Sequence, residues 1–251
     1  MDHSDFAPRY LTGEGVEIGA YTRPISGIAP IYVDRYPHYA GESTSADYYG
    51  DACDLPFYDS SLQFVASSHV LEHSANPLRA LKEWFRVIKH GGYIYMVIPD
   101  KKKTFDFSRP LTTVSHMLDD YRNETTMTDP THVEDFAYGV DWKEFSPDSD
   151  PENEKKERDA YAAEFHQKLE SENEINIHFH TFESQTGLEL IETGNKESTW
   201  PGHIQVIELI EDFPEPDKMG FLIVAWVKKR LCDRVRMRFY KKGLRHDARK
   251  F

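Results

Sequence analysis

Seven side chains in three places could move protons or hold a cation. His69, Glu72 and His73 are spaced i, i+3, i+4, which puts them on one face of a helical turn. His132 and Glu134 form a second group. His178 and His180 form a His-x-His pair, with both rings on one side if the segment is a strand. Histidine changes charge near neutral pH, so each is a candidate general base. The plainer alternatives are that Glu72 and His73 order a helix end, and that His178 and His180 satisfy backbone groups.

These groups need elements to position them. Short apolar runs predict strands at Val16–Ile18, Ile31–Val33, near Tyr48–Tyr49, at Leu62–Ser67 and at Tyr93–Ile98, the last stopped by Pro99. Asn76-Pro77 opens a helix as N-cap and first residue. Leu78, Leu81, Trp84, Phe85 and Ile88 give it one apolar face, and His90-Gly91-Gly92 reads as its end. A strand–helix–strand unit of this kind is a right-handed parallel crossover. Short helices are expected at Thr112–Tyr121 and Thr131–Tyr138. A charged, solvated helix is expected at Pro151–Glu172 and a further helix at Phe182–Glu192. Strands follow at His203–Glu211 and Phe221–Val227, read as a closing antiparallel pair with one reversed edge strand. The fold class is α/β, with a helical insertion over about 101–180.

Ligands of open α/β sheets sit beyond the carboxyl ends of the strands. Three strand exits carry suitable groups. Gly19, after the first strand, lets backbone approach a ligand. Asp34, ending the second, can accept from ribose hydroxyls. Asp51 can accept from an adenine amino group while the Ala52 N–H donates to the ring. Each has an ordinary reading as a turn or strand-end residue; the three in order say more than any one.

Composition narrows the field. The chain has 251 residues and a formal net charge of −13, which argues against bulk nucleic-acid binding. Cys53 and Cys232 match no ligand spacing and fit a reducing compartment. No apolar run approaches a membrane span or a leader, so the expectation is a cytoplasmic protein. Acid concentrates in 141–176. The tail 230–251 is basic with interleaved apolar residues. It reads as a peripheral contact with an anionic membrane or an assembly partner, or as a basic end folded onto the protein's own acidic surface.

The motifs EIGA at 17–20, Asp34, DACDLPFYDSSLQFV at 51–65, SSHVLEH at 67–73 and LKEWFRVIKHGGYIYMVIPD at 81–100 together resemble class I S-adenosylmethionine-dependent methyltransferases of the large type-11 group. The resemblance implies a Rossmann-like seven-stranded, mostly parallel sheet with helices on both faces and the last strand antiparallel, within a domain spanning 1–229. It implies that Glu17 and Gly19 face the methionine part of the cofactor, with Ala20 beside them. Asp34 would hold the ribose and Asp51 with Ala52 the adenine, while Ser68 and His69 line the cofactor. The first loop has fewer glycines than is usual and is too short for the usual first helix; Tyr21 and Arg23 are placed to take over its contacts.

A second group of motifs resembles a subgroup encoded with polysaccharide-assembly enzymes: IPDKKKTFDFSRPLTT at 98–113, DDY at 119–121, THVEDF at 131–136 and HFHTF at 178–182. It implies O-methylation of a saccharide or glycan-linked hydroxyl. The alternatives are a small-molecule O- or N-methyltransferase and a non-catalytic Rossmann-like binding module. The base would come from His73, His178, His69, Glu72, His132 or His180. SHVLEH also resembles the metal motif of metal-assisted O-methyltransferases, two Glu and one His, but His69 stands in place of the first Glu; a divalent metal, if present, would sit on His69, Glu72 and His73.

Overall fold

A computed structural model describes residues 2–230 except 40, 45 and 172. Seven strands form one sheet: β1 Gly15–Ile18, β2 Ile31–Asp34, β3 Tyr48–Tyr49, β4 Leu62–Ser68, β5 Ile88–Pro99, β6 Gly202–Phe213 and β7 Gly220–Lys229. Their order is β3-β2-β1-β4-β5-β7-β6. The first five pair in parallel, and β7 runs antiparallel to both β5 and β6. The reversed strand is therefore interior, and β6 is the edge. A tight link at 214–219 folds β7 back between β6 and β5, so the expected reversed edge strand is corrected.

Alternation along the strands assigns the two faces. Val16, Ile18, Val65, Ile94, Met96 and Ile223 face one core with Trp84 and Phe85. This face is covered by helices α2 Pro77–Val87, α3 Val114–Arg122 and α7 Ser184–Lys196. Phe64, Ala66, Tyr95, Val97 and Leu222 face the other core with Phe6, Leu11 and Ile25. There the cover is the N-terminal segment, with α1 His3–Phe6 and a single 3-10 turn, Ala7–Arg9. Among the described residues no helix joins β1 to β2.

Asn76 caps α2, its side chain accepting from the Arg79 N–H at 3.0 Å, with Pro77 at the first helical position. The helix ends at Val87, before the glycine pair. His90-Gly91-Gly92 instead lies inside β5, where the β4–β5 register slips between Leu62 and Phe64. Gly91 has φ +84°, and a Cβ on Gly92 would come within 2.2 Å of the Gln63 carbonyl oxygen. The pair forms an irregularity pressed against β4, not a helix stop.

The segment between β5 and α7 adds α4 Val133–Gly139, α5 Trp142–Phe145 and α6 Glu154–Glu170. It has its own apolar cluster, including Val133, Phe136, Trp142, Phe165, Ile177 and Phe179. Helix α6 is mostly solvated but buries Ala162 and Phe165, and Arg158 donates to the Ala137 and Val140 carbonyls. No helix of the described residues is long and apolar enough to cross a membrane. The basic tail lies, apart from Arg230, outside the described residues, as does Cys232.

Candidate active site

A cavity of about 670 Å³ opens at the carboxyl edge of β1, β2 and β4, within the range of ligand pockets. Gly19, Ala20, Tyr21, Arg23, Asp34, Asp51, Ala52, Ser68, His69 and His73 all line it. Gly19 has φ +70°, and a Cβ there would lie 2.5 Å from Val70 Cγ2. Only glycine lets the backbone turn at this edge. Asp34 braces the loop as well as facing the cavity: Oδ2 accepts from the Tyr21 N–H at 3.1 Å and Oδ1 from the Arg35 N–H at 2.8 Å.

Asp51 accepts from the Cys53 N–H at 2.8 Å and pairs with Arg35 at 2.9 Å. Arg35 also donates through Nε to Glu174 at 2.9 Å, tying the inserted segment to this strand exit. Tyr36 and Tyr39 add aromatic wall. A backbone loop that only glycine can make, a carboxylate at the β2 exit and another beyond β3 fit a nucleoside-bearing cofactor. Nothing in the sequence pattern singled out Arg35, Tyr36, Tyr39 or Glu174.

Glu17 does not line the cavity. Val16 and Ile18 take the helix-covered face, so Glu17 points to the other. There Oε1 accepts from the Ile25 N–H at 2.9 Å, and Oε2 is buried with no hydrogen-bond partner among the described residues. Burial pushes its carboxyl up to about 7. Its role is to hold the 19–26 loop, not to touch a ligand in the cavity.

Beyond β4 the chain enters a 3-10 turn, Leu71–His73. His69 stands before it with φ +56°. His73 Nδ1 lies 2.8 Å from Asn176 Oδ1, so the ring donates there and its Nε2 carries the lone pair. Burial and the nearby His178 drive His73 down to about 3; the same causes take His69 to about 4. Both rings are neutral at neutral pH. Glu72 is buried, neither carboxyl oxygen has a hydrogen-bond partner among the described residues, and burial pushes it up to about 8.

His178 sits behind His73, the rings meeting edge-to-face at 4.6 Å. Its Nδ1 donates to Asp106 Oδ2 at 2.6 Å, and Asp106 Oδ1 accepts from Arg109 at 2.7 Å. Burial works to raise the Asp106 carboxyl, yet His178 and Arg109 together hold it below the usual carboxylate range. Arg109 is itself fully buried and pairs with Asp135. Asp106 and Arg109 fall within FDFSRP but were not singled out as site residues; buried charge over a long sequence separation leaves no local pattern.

Four further expectations are corrected. The implied metal set His69, Glu72 and His73 is not the group whose ligand atoms come together; that group is Glu72, His73 and His178, within 4.8 Å of one another. His69 turns to the cavity wall instead. His132 and His180 do not line the cavity; they meet His116 and Asp120 in a separate cluster. The segment carrying His178 and His180 is not a strand, and the two rings join different networks. Glu134 is on the surface, paired with His166 at 2.7 Å.

Residues 33–96 match the family model described as "Methyltransferase domain". A search of curated proteins found no match. Among solved structures, the chain is similar to a SAM-dependent methyltransferase from Methanosarcina mazei at 17% identity, covering 92% of this chain and 100% of that one, with a TM-score of 0.50. It is also similar to a SAM-dependent methyltransferase from Aquifex aeolicus at 10% identity, covering 89% of each chain, with a TM-score of 0.44. The fold assignment rests on the first of these, and the strand order agrees with it. Residues 33–96 thus match a methyltransferase-domain model, and they lie in a sheet whose fold is that of a SAM-dependent methyltransferase structure.

Proposed function

We propose that the protein is an S-adenosylmethionine-dependent O-methyltransferase acting on a saccharide or glycan-linked hydroxyl. The observation that carries the reading is the cavity itself: cofactor-type groups at the strand exits share one space with two neutral histidines. Gly19, Asp34, Asp51 and the Ala52 N–H would hold S-adenosylmethionine. When bound, it supplies an electrophilic methyl group on a sulfonium.

The chain's own residues would do three things. His73, its proton fixed on Nδ1 by Asn176, offers Nε2 to accept a hydrogen bond from the acceptor hydroxyl. His69 offers a second neutral acceptor. Uncharged rings matter here, because an imidazolium facing a sulfonium would be repelled. The Asp106–His178 pair packs against the His73 ring and fixes its orientation. Because the implied metal set is not the group whose ligand atoms come together, no step is assigned to a metal there.

The acceptor class rests on the resemblance of residues 98–113, 119–121, 131–136 and 178–182 to enzymes encoded with polysaccharide assembly. Isothermal calorimetry with S-adenosylmethionine tests the cofactor half: no saturable heat at millimolar cofactor refutes it and leaves the binding-module alternative. Transfer of labelled methyl from S-adenosylmethionine to a panel of oligosaccharides, catechols and amines tests the acceptor half. Label on amines alone refutes the hydroxyl assignment.

A further inference from the structure

The second histidine cluster lies outside the cavity and takes no part in the proposed chemistry. It gathers side chains from three separate segments: His116 and Asp120, one turn apart on α3; His132, ending the 3-10 turn Pro130–His132; and His180, on the run leading into α7. His116 Nε2 lies 3.0 Å from His132 Nε2 and 3.4 Å from Asp120 Oδ2. Asp120 Oδ2 is 3.0 Å from His180 Nε2 and 3.7 Å from His132 Nε2. All four ligand atoms fall within 4.8 Å of one another.

The outward faces of the rings are already occupied. His180 Nδ1 lies 3.0 Å from the Ser74 carbonyl oxygen, which can only accept, so the proton is on Nδ1. Thr131 donates its hydroxyl proton to Asp129, which leaves its oxygen to accept from His132 Nδ1 at 3.1 Å. Nδ1 of each ring is thus turned onto an oxygen outside the cluster, while Nε2 of each faces inward toward the Asp120 carboxylate. A cation placed among them would be met by three ring nitrogens and a carboxylate oxygen. Pinned Nδ1 protons of this kind are the usual outer shell of a metal-bound histidine.

We propose that His116, Asp120, His132 and His180 form a zinc site that ties α3, the 130–132 turn and the run leading into α7 to one another within the inserted segment. Three imidazoles and one carboxylate suit Zn²⁺ and disfavour Mg²⁺ or Ca²⁺, which take oxygen. Tetrahedral ligands at about 2.0–2.1 Å from zinc stand about 3.3 Å apart. The four separations given above fall on either side of that value. All four positions come from the protein, which is the pattern of a structural site, not a catalytic one. His116 is half exposed and marks the entry path, while Asp120, His132 and His180 are buried. The clamp would hold the backbone two residues beyond His178, and so keep that ring against Asp106 and His73.

The test uses the full, untagged chain and reads metal, so its failure leaves the methyltransferase reading intact. Metal analysis after purification with added Zn²⁺ should give about one zinc per chain. Replacement by Co²⁺ should give the intense visible bands of tetrahedral cobalt, bleached by Zn²⁺. His116→Ala alters an exposed position on α3 and should keep the far-ultraviolet circular dichroism of the parent. It should weaken Zn²⁺ binding by more than the ~10–100-fold that loss of an outer-shell partner brings. Glu72→Gln serves as the control at the other cluster and should retain the metal. Absence of both bound zinc and tetrahedral cobalt bands in the parent chain would overturn the proposal. So would a metal lost in Glu72→Gln and kept in His116→Ala.

Discussion

Replacing Glu72 by Gln should stabilise the protein, and by an amount that depends on pH. Glu72 is buried beside the cavity-lining His69 and His73, with neither oxygen hydrogen-bonded among the described residues. Burial raises its carboxyl from 4.5 to about 8. A carboxyl raised in the folded state binds its proton more tightly there than in the unfolded chain. Stability from this group is then complete below about pH 4.5 and falls as pH rises toward 8, because the unfolded chain ionises freely and the folded one does not. At about 1.4 kcal/mol per pH unit, the loss is about 3 kcal/mol at pH 7 and levels off near 5 kcal/mol above pH 8. Gln keeps the size and stays neutral throughout, and its amide can donate toward the unprotonated His73 Nε2. Urea denaturation of both proteins at half-unit steps from pH 4.5 to 8.5 isolates this group, since every other titration, including that of Glu17, is common to the two. The curves should meet near pH 4.5–5 and separate to about 3 kcal/mol at pH 7, which for a chain of this size is about 6–12 °C in melting temperature. A gap constant with pH, or a variant less stable at pH 7 than its parent, would refute the burial argument.

Gly19→Ala should lower S-adenosylmethionine affinity by ~10-fold or more, since it combines a positive φ with a Cβ 2.5 Å from Val70; calorimetry checks it, and unchanged affinity would remove this loop from the cofactor site. His73→Ala should cut methyl transfer by ~10²-fold or more while leaving cofactor affinity near that of the parent, read by steady-state kinetics and calorimetry. Asp106→Ala leaves the buried Arg109 guanidinium with only Asp135 and the Phe179 carbonyl. It should lower stability by about 3–5 kcal/mol in denaturant melts.

The sheet was legible because strand patterning is local. Runs of three to six residues, followed in three of the four cases by Gly, Asp or Pro, place β1, β2, β4 and β5 with little help from the rest of the chain. The same locality explains the errors. A glycine pair after a helix serves equally as a stop or as a close approach between strands, and here contact with Gln63 selects the second. Glu17 could have been read correctly: once Val16 and Ile18 face the helices, period-two alternation sends Glu17 the other way. The histidine networks had no such clue. His178 meets Asp106 across 72 residues, His180 meets Asp120 across 60 and His73 meets Asn176 across 103. Histidines were visible as candidates, but their partners are chosen by how the insertion folds back.

The missing first helix changes how this site is held. In a β–helix–β unit, the backbone after the first strand is fixed by the helix it enters. Here the chain crosses from Gly19 to Pro30 without one, with positive φ at Gly19, Tyr21 and Gly27. Two carboxylates take over the work. Asp34 reaches back to the Tyr21 N–H, and Glu17 reaches across to the Ile25 N–H. A third tie comes from outside the sheet, where Arg35 joins Asp51 to Glu174 of the insertion. Asp34 is thus both a brace and a prospective ribose partner. Any loss of cofactor affinity on its removal contains a loop term as well as a contact term. Glu17 braces the far end of the same loop, at Ile25, without lining the cavity, so its isosteric variant shows whether loosening the loop without losing a cavity contact lowers affinity. The insertion also belongs to the cofactor end as well as to the acceptor end, because Glu174 lies only four residues from His178. Movement of that short run would be felt at Asp51 and at His73 together.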